Sequence, residues 1–369
     1  MDFAKLALDE EWLALLEGVA RGAGLDLPPK RLAAEVRALS DAYNTGAFTR
    51  ARTRGALAAR LLFSFARDVP KSACAARELA FARRLALPMR VLDVGAGLGA
   101  STWGLARLLA MGGARGAIDA TFVDDDPGAL GLARTISDAR RAEGEVEVRV
   151  TVQNRAPASG RFDVILLGQS LGEIDADETK QVALIEALAK SLHDHGSLVV
   201  IEPALADRTR RLQRVRDALV ARGLTVFAPC LHAAPCPMLK DPKSWCHEDL
   251  PVDLPPSVAA IARAAGLRRQ GLTFSYLVLR KDGVTLRGRV APGALRVVSS
   301  PIVTKGKREL YLCGDARVRK LARLDRDEPK RGGAWSNAAR GDVVAFSRPI
   351  DDDATRVPGD VDVRLEPTA

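Results

Sequence analysis

The sequence predicts an α/β chain: a doubly wound parallel sheet in the middle, a helical region before it and a small β-rich unit after it. Three observations carry this. From about residue 89 to 280, short apolar runs alternate with helical stretches, the pattern of strands joined by crossover helices. Before residue 88 the apolar spacing is helical throughout. After Asp282-Gly283 the period shortens into strands separated by Gly- and Pro-containing turns.

Residues 1–88 are expected to be helical, because Leu6, Leu8, Trp12, Leu15, Leu16 and Val19 recur at helical spacing and Ala-rich stretches run from Ala56 to Phe65. Pro28-Pro29 and Pro70 are read as breaks between separate helices. A unit at 89–283 is expected next, with strands at Arg90–Val94, Ala120–Val123, Glu145–Val152, Phe162–Leu167, Ser197–Ile201, Thr225–Phe227 and Ser275–Arg280. Helices are expected near 100–111, 127–142, 178–192 and 207–222, and a Cys- and Pro-rich insertion at about 228–250. Residues 284–350 read as a basic β-rich domain with strands at Val284–Val290, Leu295–Val298, Glu309–Leu312 and Val343–Phe346. An acidic tail, 351–369, is expected to follow.

Every apolar run is broken by a charge or a proline well short of a membrane span. The early acids Asp9, Glu10 and Glu11 argue against a secretory signal or a mitochondrial presequence, so a cytoplasmic location is expected. The net charge is +9, and residues 281–349 alone hold sixteen Lys and Arg against seven Asp and Glu. Charge concentrated in one segment suggests a polyanionic partner such as RNA, against the blander reading of a basic solvated surface. Arg50, Arg52, Arg54 and Arg60 form a second basic cluster in the sequence.

The sharpest local signal is Val91-Leu92-Asp93-Val94-Gly95-Ala96-Gly97-Leu98-Gly99-Ala100-Ser101. An apolar strand ends in an acid, a three-glycine turn comes next, and a helix begins. Gly95, Gly97 and Gly99 let the backbone turn tightly and approach a ligand, and the helix N-terminus offers free N–H groups. Asp93 leading into Gly-x-Gly-x-Gly resembles the first motif of S-adenosylmethionine-dependent methyltransferases; Ala100-Ser101-Thr102 spoils the spacing of a nicotinamide fingerprint. The expected fold is therefore Rossmann-like, of the methyltransferase type. The next strand ends in Asp124-Asp125-Asp126-Pro127: Asp124 is placed to accept ribose hydroxyls, whereas Asp126 before Pro127 can cap the next helix. At the fourth strand end, Gln169 and Glu173 are candidates to line the pocket, although Glu173 is equally well placed simply to begin a helix. The [D/N/S]-P-P-[Y/F/W] segment of amino-methylating enzymes is missing, and no cysteine of the central sheet is placed to attack a base, so no catalytic residue is assigned.

Of five cysteines, Cys74 reads as a small core residue. Cys230, Cys236 and Cys246 fall in the irregular insertion and Cys313 in the basic domain. Their spacing does not match paired C-x2-C zinc knuckles. Thiolates gathered in a loop with a distant fourth suggest zinc, with His232 and His247 available, or an iron–sulfur cluster; buried free thiols are the alternative.

Taken together, the glycine loop, Leu171-Gly172-Glu173, Val200-Ile201-Glu202-Pro203, Cys230-x-His232-x3-Cys236-Pro237, Trp245-Cys246-His247 and Phe274-Ser275-Tyr276-Leu277 resemble the small-ribosomal-subunit methyltransferase-like family. The resemblance runs from about residue 45 to 350, and its mitochondrial members assist small-subunit assembly. It implies a bound S-adenosylmethionine, a [4Fe–4S] cluster on Cys230, Cys236, Cys246 and Cys313, and binding to small-subunit rRNA, with Lys240, Lys243 and the basic domain facing phosphates. Ala204, where relatives often carry glycine, and Glu248, where an aromatic is common, depart from the pattern and bear on the substrate pocket.

The leading expectation is an assembly factor that docks on the small subunit. Alternatives are an active rRNA methyltransferase and a small-molecule methyltransferase with a structural zinc. Radical chemistry on S-adenosylmethionine is not expected, since four cysteines would leave no iron open.

Overall fold

Capping chemistry sets the helix starts in the computed structural model, which describes residues 3–46, 53–157, 159–268, 270–329 and 332–367. Asp9 accepts the Trp12 N–H and opens α1 (Glu10–Gly22), Pro29 occupies the first turn of α2 (Pro29–Thr45), and Thr53 accepts from Ala56 to open α3 (Arg54–Ala59). A π-helical turn, Arg60–Ser64, joins α3 to α4 (Phe65–Phe81), so residues 54–81 form one long helix with a slip of register inside it. Pro70, expected to end a helix, lies within α4. Residues 69–79 are buried all round, with Gly104 of the next helix close against the Val69 carbonyl, and that packing outweighs the lost hydrogen bond.

The central unit then alternates as β1 (Met89–Val94), α5 (Ala100–Met111), β2 (Gly116–Val123), α6 (Pro127–Arg140), the short β3 (Ala142–Glu143), β4 (Val146–Gln153), β5 (Phe162–Gly168), α7 (Leu171–Ile174), α8 (Glu178–Lys190), β6 (Leu192–Pro203), α9 (Ala206–Ala221), β7 (Thr225–Ala228), β8 (Glu248–Asp253), α10 (Pro256–Ala264) and β9 (Gln270–Arg280). Its nine strands lie in the order β3-β4-β2-β1-β5-β6-β9-β7, with β8 also paired to β9. Strands β4, β2, β1, β5 and β6 are parallel, and β9 enters antiparallel beside β6. This is the Rossmann-like architecture expected. The order reverses at β1, so the carboxyl ends of β1, β2 and β5 frame a crevice.

Two apolar layers sandwich the sheet. Helices α8 and α9 bury Ile185, Leu212 and Leu219 on one face. On the other, α4 and α5 pack with the amino-terminal helices, where Trp12 meets Phe65 and Trp103 at ring distances of 5.6 and 4.9 Å.

The second sheet contains β10 (Leu295–Val297), β11 (Ile302–Thr304), β12 (Lys307–Cys313), β13 (Val318–Leu324), β14 (Val343–Phe346) and β15 (Val363–Glu366), with the one-turn α11 (Ala334–Asn337) between β13 and β14. The pairs between its named strands are antiparallel, and Leu310, Leu312, Leu321, Trp335 and Val344 lie in its core. Two expectations are corrected here. Residues 284–290 are not a strand: Leu286–Arg289 is a 3-10 turn, because Arg287 folds back to the Ala291 and Ala294 carbonyls. The acidic stretch after Asp351 is not a free tail, since Val357 and Val361 are fully buried and β15 pairs with β14. Among the described residues, no helix is long and apolar enough to cross a membrane.

Candidate cofactor cleft and cysteine cavity

The glycine turn opens onto a cleft of about 840 Å³ at the carboxyl ends of β1, β2 and β5. Gly95, Gly97 and Gly99 all have positive φ, at 66°, 55° and 84°, so each takes a conformation that side chains resist. Their surroundings differ. A Cβ on Gly95 would strike Ser170 and one on Gly99 would strike the Phe122 ring, whereas Gly97 meets only a guanidinium nitrogen of Arg60. Gly97 is thus bare toward the cleft, while Gly99 serves packing.

Asp93, expected among the cofactor-binding residues, does not line the cleft. It is fully buried under the turn, where one oxygen accepts the Thr102 N–H at 3.2 Å and hydroxyl at 2.8 Å. The other oxygen has no partner, and burial pushes the carboxyl up to about 7. Asp93 therefore ties the turn to the start of α5.

Asp124 does line the cleft. Its carboxylate accepts the Gly97 N–H at 2.8 Å and the Asp126 N–H at 2.9 Å, which locks the tip of β2 to the glycine turn. Free lone pairs remain for hydroxyl donors. Asp126 caps α6 through the Gly128 and Ala129 N–H groups, as its place before Pro127 suggested.

Gln169 lines the far side at the end of β5, with a positive φ of 62°, unusual for a residue with a side chain. Its position is held by three bonds: its N–H donates to the Ile201 carbonyl, its amide to Asp68 at 2.6 Å, and Lys71 donates to its carbonyl at 3.3 Å. Lys71 also pairs with Asp68 at 2.9 Å, and burial lowers its pKa. Glu173 lines the cleft from α7, and burial pushes it up to about 7. Behind it, the fully buried Glu202 accepts from the Gly172 N–H and also sits near 7 through burial.

Sequence reasoning missed the contribution of the amino-terminal helices. Tyr43, Arg60, Asp68 and Lys71 all line this cleft, and nothing in their spacing marks them as a set. Of the basic cluster expected at 50–60, Arg50 and Arg52 lie outside the described residues. Arg54 donates to the Ala23 and Gly24 carbonyls, whereas Arg60 turns into the cleft, so these two do not share a face.

The four cysteines line a second, nearly apolar cavity of about 70 Å³. Cys230 follows β7, Cys236 precedes a 3-10 turn, Cys246 precedes β8, and Cys313 ends β12 of the second sheet. The chain thus brings together residues from two sheets. Burial, then the neighbouring thiols, pushes Cys236 up to about 11 and Cys246 up to about 12, and raises Cys313; burial raises Cys230. His232 lies 3.6 Å from the Cys313 sulfur.

Arginines brace this cavity. Arg216 donates to the Ala234 and His232 carbonyls of the cysteine loop and pairs with Asp217, which in turn accepts the Cys236 N–H. Arg296 bonds the Gly341 carbonyl and the fully buried Glu78, and Arg340 bonds the Val298 and His247 carbonyls. Arg216 and Arg296 each keep an Nε–H, and His232 its Nδ1, buried with no hydrogen-bond partner. Among the described residues no group of three or more His, Cys, Asp or Glu is arranged to hold a metal ion. The expected [4Fe–4S] cluster therefore has no preformed metal-binding group to support it among the described residues; what the thiols share is a cavity. Cys74 lies apart, buried within α4 as expected. Lys240 and Lys243 are exposed on the cysteine loop.

A family model described as mitochondrial small ribosomal subunit Rsm22 matches residues 71–342, well over half of the chain. No curated protein sequence matches. Among solved structures, the chain is similar to a precorrin-6y C5,15-methyltransferase from Geobacter metallireducens, at 16% identity over 57% of this chain and 88% of that one, with a TM-score of 0.34. It is also similar to a methyltransferase from Pyrococcus furiosus (15% identity, 55% and 82%, TM-score 0.33) and to a TehB-like S-adenosylmethionine-dependent methyltransferase from Corynebacterium glutamicum (18%, 56% and 87%, TM-score 0.31).

Proposed function

This chain belongs to the mitochondrial small ribosomal subunit Rsm22 family, and from that premise we propose that it is a small-subunit assembly factor on a methyltransferase fold. In this reading it binds small-subunit rRNA, takes S-adenosylmethionine in the cleft over Gly97, and carries a [4Fe–4S] cluster on Cys230, Cys236, Cys246 and Cys313. Its place of action would be the cytoplasm.

One observation carries the reading: four thiols from two sheets converge on one cavity. The donor set fits the cluster in three respects. It is all thiol and four in number. The four side chains line one cavity. Arg216, Arg296 and Arg340 would offset the negative charge of four thiolates, and the unpartnered Nε–H groups are donors in search of acceptors. Such a cluster supplies a charged cross-link between the two sheets, which would fix the basic unit against the central one. For the cleft, Asp124 is placed for a ribose diol and Gly97 for close approach of the ligand.

Iron, zinc and acid-labile sulfide measured on protein purified without oxygen test the cluster. About four irons and four sulfides per chain are expected; zinc alone, or no metal, would sink it. Cys313→Ser should weaken co-sedimentation with the small subunit while the central sheet stays folded, and unchanged ribosome affinity would remove the proposed role of the cross-link.

An active rRNA methyltransferase is the second reading. The observation that favours it is the held, left-handed Gln169 at the acceptor end of the cleft, a conformation of the kind found at functional sites. Methyl transfer to subunit precursors, lost on Asp124→Ala, would support it; cofactor binding without transfer to any precursor RNA would not.

A further inference from the structure

Arg60 stands at the start of a π turn inside one long helix. The helix from residue 54 to 81 passes into π geometry at Arg60–Ser64, and the π turn rotates the remainder of the helix relative to its start. Arg60 reaches across to the glycine turn, where one guanidinium nitrogen lies 2.7 Å from the point a Cβ on Gly97 would occupy. Another nitrogen pairs with Asp126 at 3.0 Å, with both side chains largely buried at 17% and 11% exposure. Asp126 is itself fixed, because its other oxygen caps α6. The guanidinium is therefore anchored on one side and rests against bare backbone on the other.

Several of the other cations that line the cleft are engaged elsewhere. Lys71 is held by Asp68 and Gln169, Arg208 donates to the Tyr43 carbonyl, and Arg67 donates to the Arg268 carbonyl. Among the described residues, Arg60 is the cation seated on the glycine turn, beside the acid placed for a ribose. An S-adenosyl amino acid has one anionic group, its carboxylate, at the end opposite the adenine. With the ribose on Asp124, the amino-acid tail would run over Gly97.

We propose that Arg60 pairs with the carboxylate of an S-adenosyl amino acid bound in this cleft. The inference rests on reading the cleft as a cofactor site. Arg60 lies before the matched residues 71–342, so a segment outside the family match completes the pocket. A planar fork suits a carboxylate better than an ammonium would.

Equilibrium binding by calorimetry tests this on the full chain, with S-adenosylmethionine, S-adenosylhomocysteine and 5′-methylthioadenosine, which lacks the amino-acid tail. Arg60→Gln should weaken the first two by about ten- to a hundredfold, the range for one charge-assisted pair, and leave methylthioadenosine within about twofold. Arg60→Lys should recover part of the loss. Asp126→Asn keeps the helix cap but frees the guanidinium, and should give a smaller loss with the same selectivity. Equal weakening of all three ligands would make Arg60 a support of the turn and overturn the proposal, as would unchanged affinities. Wild-type protein that binds methylthioadenosine as tightly as S-adenosylmethionine would overturn it too, even if Arg60→Gln failed to fold. Wild-type protein that binds none of the three would remove the cofactor reading itself, and this inference with it.

Discussion

The cleft over Gly97 and the cavity among the cysteines are both walled by buried ionisable groups, yet they are built in opposite ways. The cleft is large and polar, and its floor comes from short contiguous pieces: the turn after β1, the tip of β2 and the end of β5. Neighbours in sequence position much of that floor, as when Asp93 holds Thr102 and Asp126 caps α6, while Arg60, Asp68 and Lys71 reach it from the amino-terminal helices. The cavity is small and apolar, and its four thiols arrive from β7, the loop after it and β12. Long-range charge pairs hold it, above all Arg296 with Glu78 and Arg77 with Glu248. Helix α4 serves both, with Lys71 at the cleft and Arg77 and Glu78 behind the thiols. A local turn makes a site that tolerates change elsewhere; a site built from distant charges depends on every partner.

The largest expected effect comes from that dependence. Glu78 is fully buried and accepts from Arg296 at 2.5 Å and from Tyr276 at 3.0 Å. Glu78→Ala leaves a buried guanidinium unpaired and should cost about 3–5 kcal/mol in chemical denaturation. It should also release whatever metal the thiols hold, with little change in cofactor affinity for the fraction that stays folded. A loss below about 1 kcal/mol would erase the contrast between the two sites.

Next comes a pH dependence on the cleft side. Glu202 ionises near 4.5 in the unfolded chain, and in the fold burial pushes it up to about 7, opposed by the Gly172 N–H and by Arg208 and Arg211. Below about pH 4.5 both states carry the proton and the buried carboxyl costs nothing. As the pH rises toward 7 the unfolded chain loses its proton first, so the fold weakens, and above that the penalty is constant. Glu202→Gln, which can still accept from Gly172, should gain on the wild type between about pH 5 and 8 by about 2–3 kcal/mol. A pH-independent difference in melting would contradict the burial argument.

Gly99→Ala sharpens the comparison from the local side. The new Cβ runs into the Phe122 ring with φ at 84°, and should destabilise by about 2 kcal/mol while lowering cofactor affinity. Metal content should be untouched, and a fall in it would mean the sites are not separable. The smallest effect is at Thr53, whose side chain caps the helix that delivers Arg60. Thr53→Ala should cost about 1 kcal/mol and weaken the cofactor by less than Arg60→Gln does; both are read from paired melting and binding curves.

Much of the cleft was legible because its residues are adjacent in the chain. A strand ending in an acid, three glycines and a capped helix specify a turn wherever they occur, and Asp124 and Asp126 divide their roles by position relative to Pro127. That Asp93 lies beneath the turn was not legible, because a motif fixes chain direction but not which side of the turn a carboxyl faces. Strand β13 escaped notice since Val318-Arg319-Lys320-Leu321-Ala322-Arg323-Leu324 alternates charge with apolar residues only loosely, and its three buried residues, Leu321, Ala322 and Arg323, are consecutive rather than alternating. The acidic end was read as a tail from its charge; its few apolar residues, Val357 and Val361, find a core only once the second sheet is assembled.

By itself the sequence determined the alternation of strands and helices, the glycine turn, the capping acids and three cysteines gathered in one irregular loop with a distant fourth. Those features rest on local sterics and hydrogen bonding, which act over a few residues. Only the tertiary structure decided that Cys313 joins three thiols from another sheet, that Glu78 meets Arg296 from a distant part of the chain, and that Arg60 rests on Gly97. Such contacts depend on how layers pack and where a π turn rotates a helix. Burial and distance in space govern them, and neither is a property of neighbouring letters.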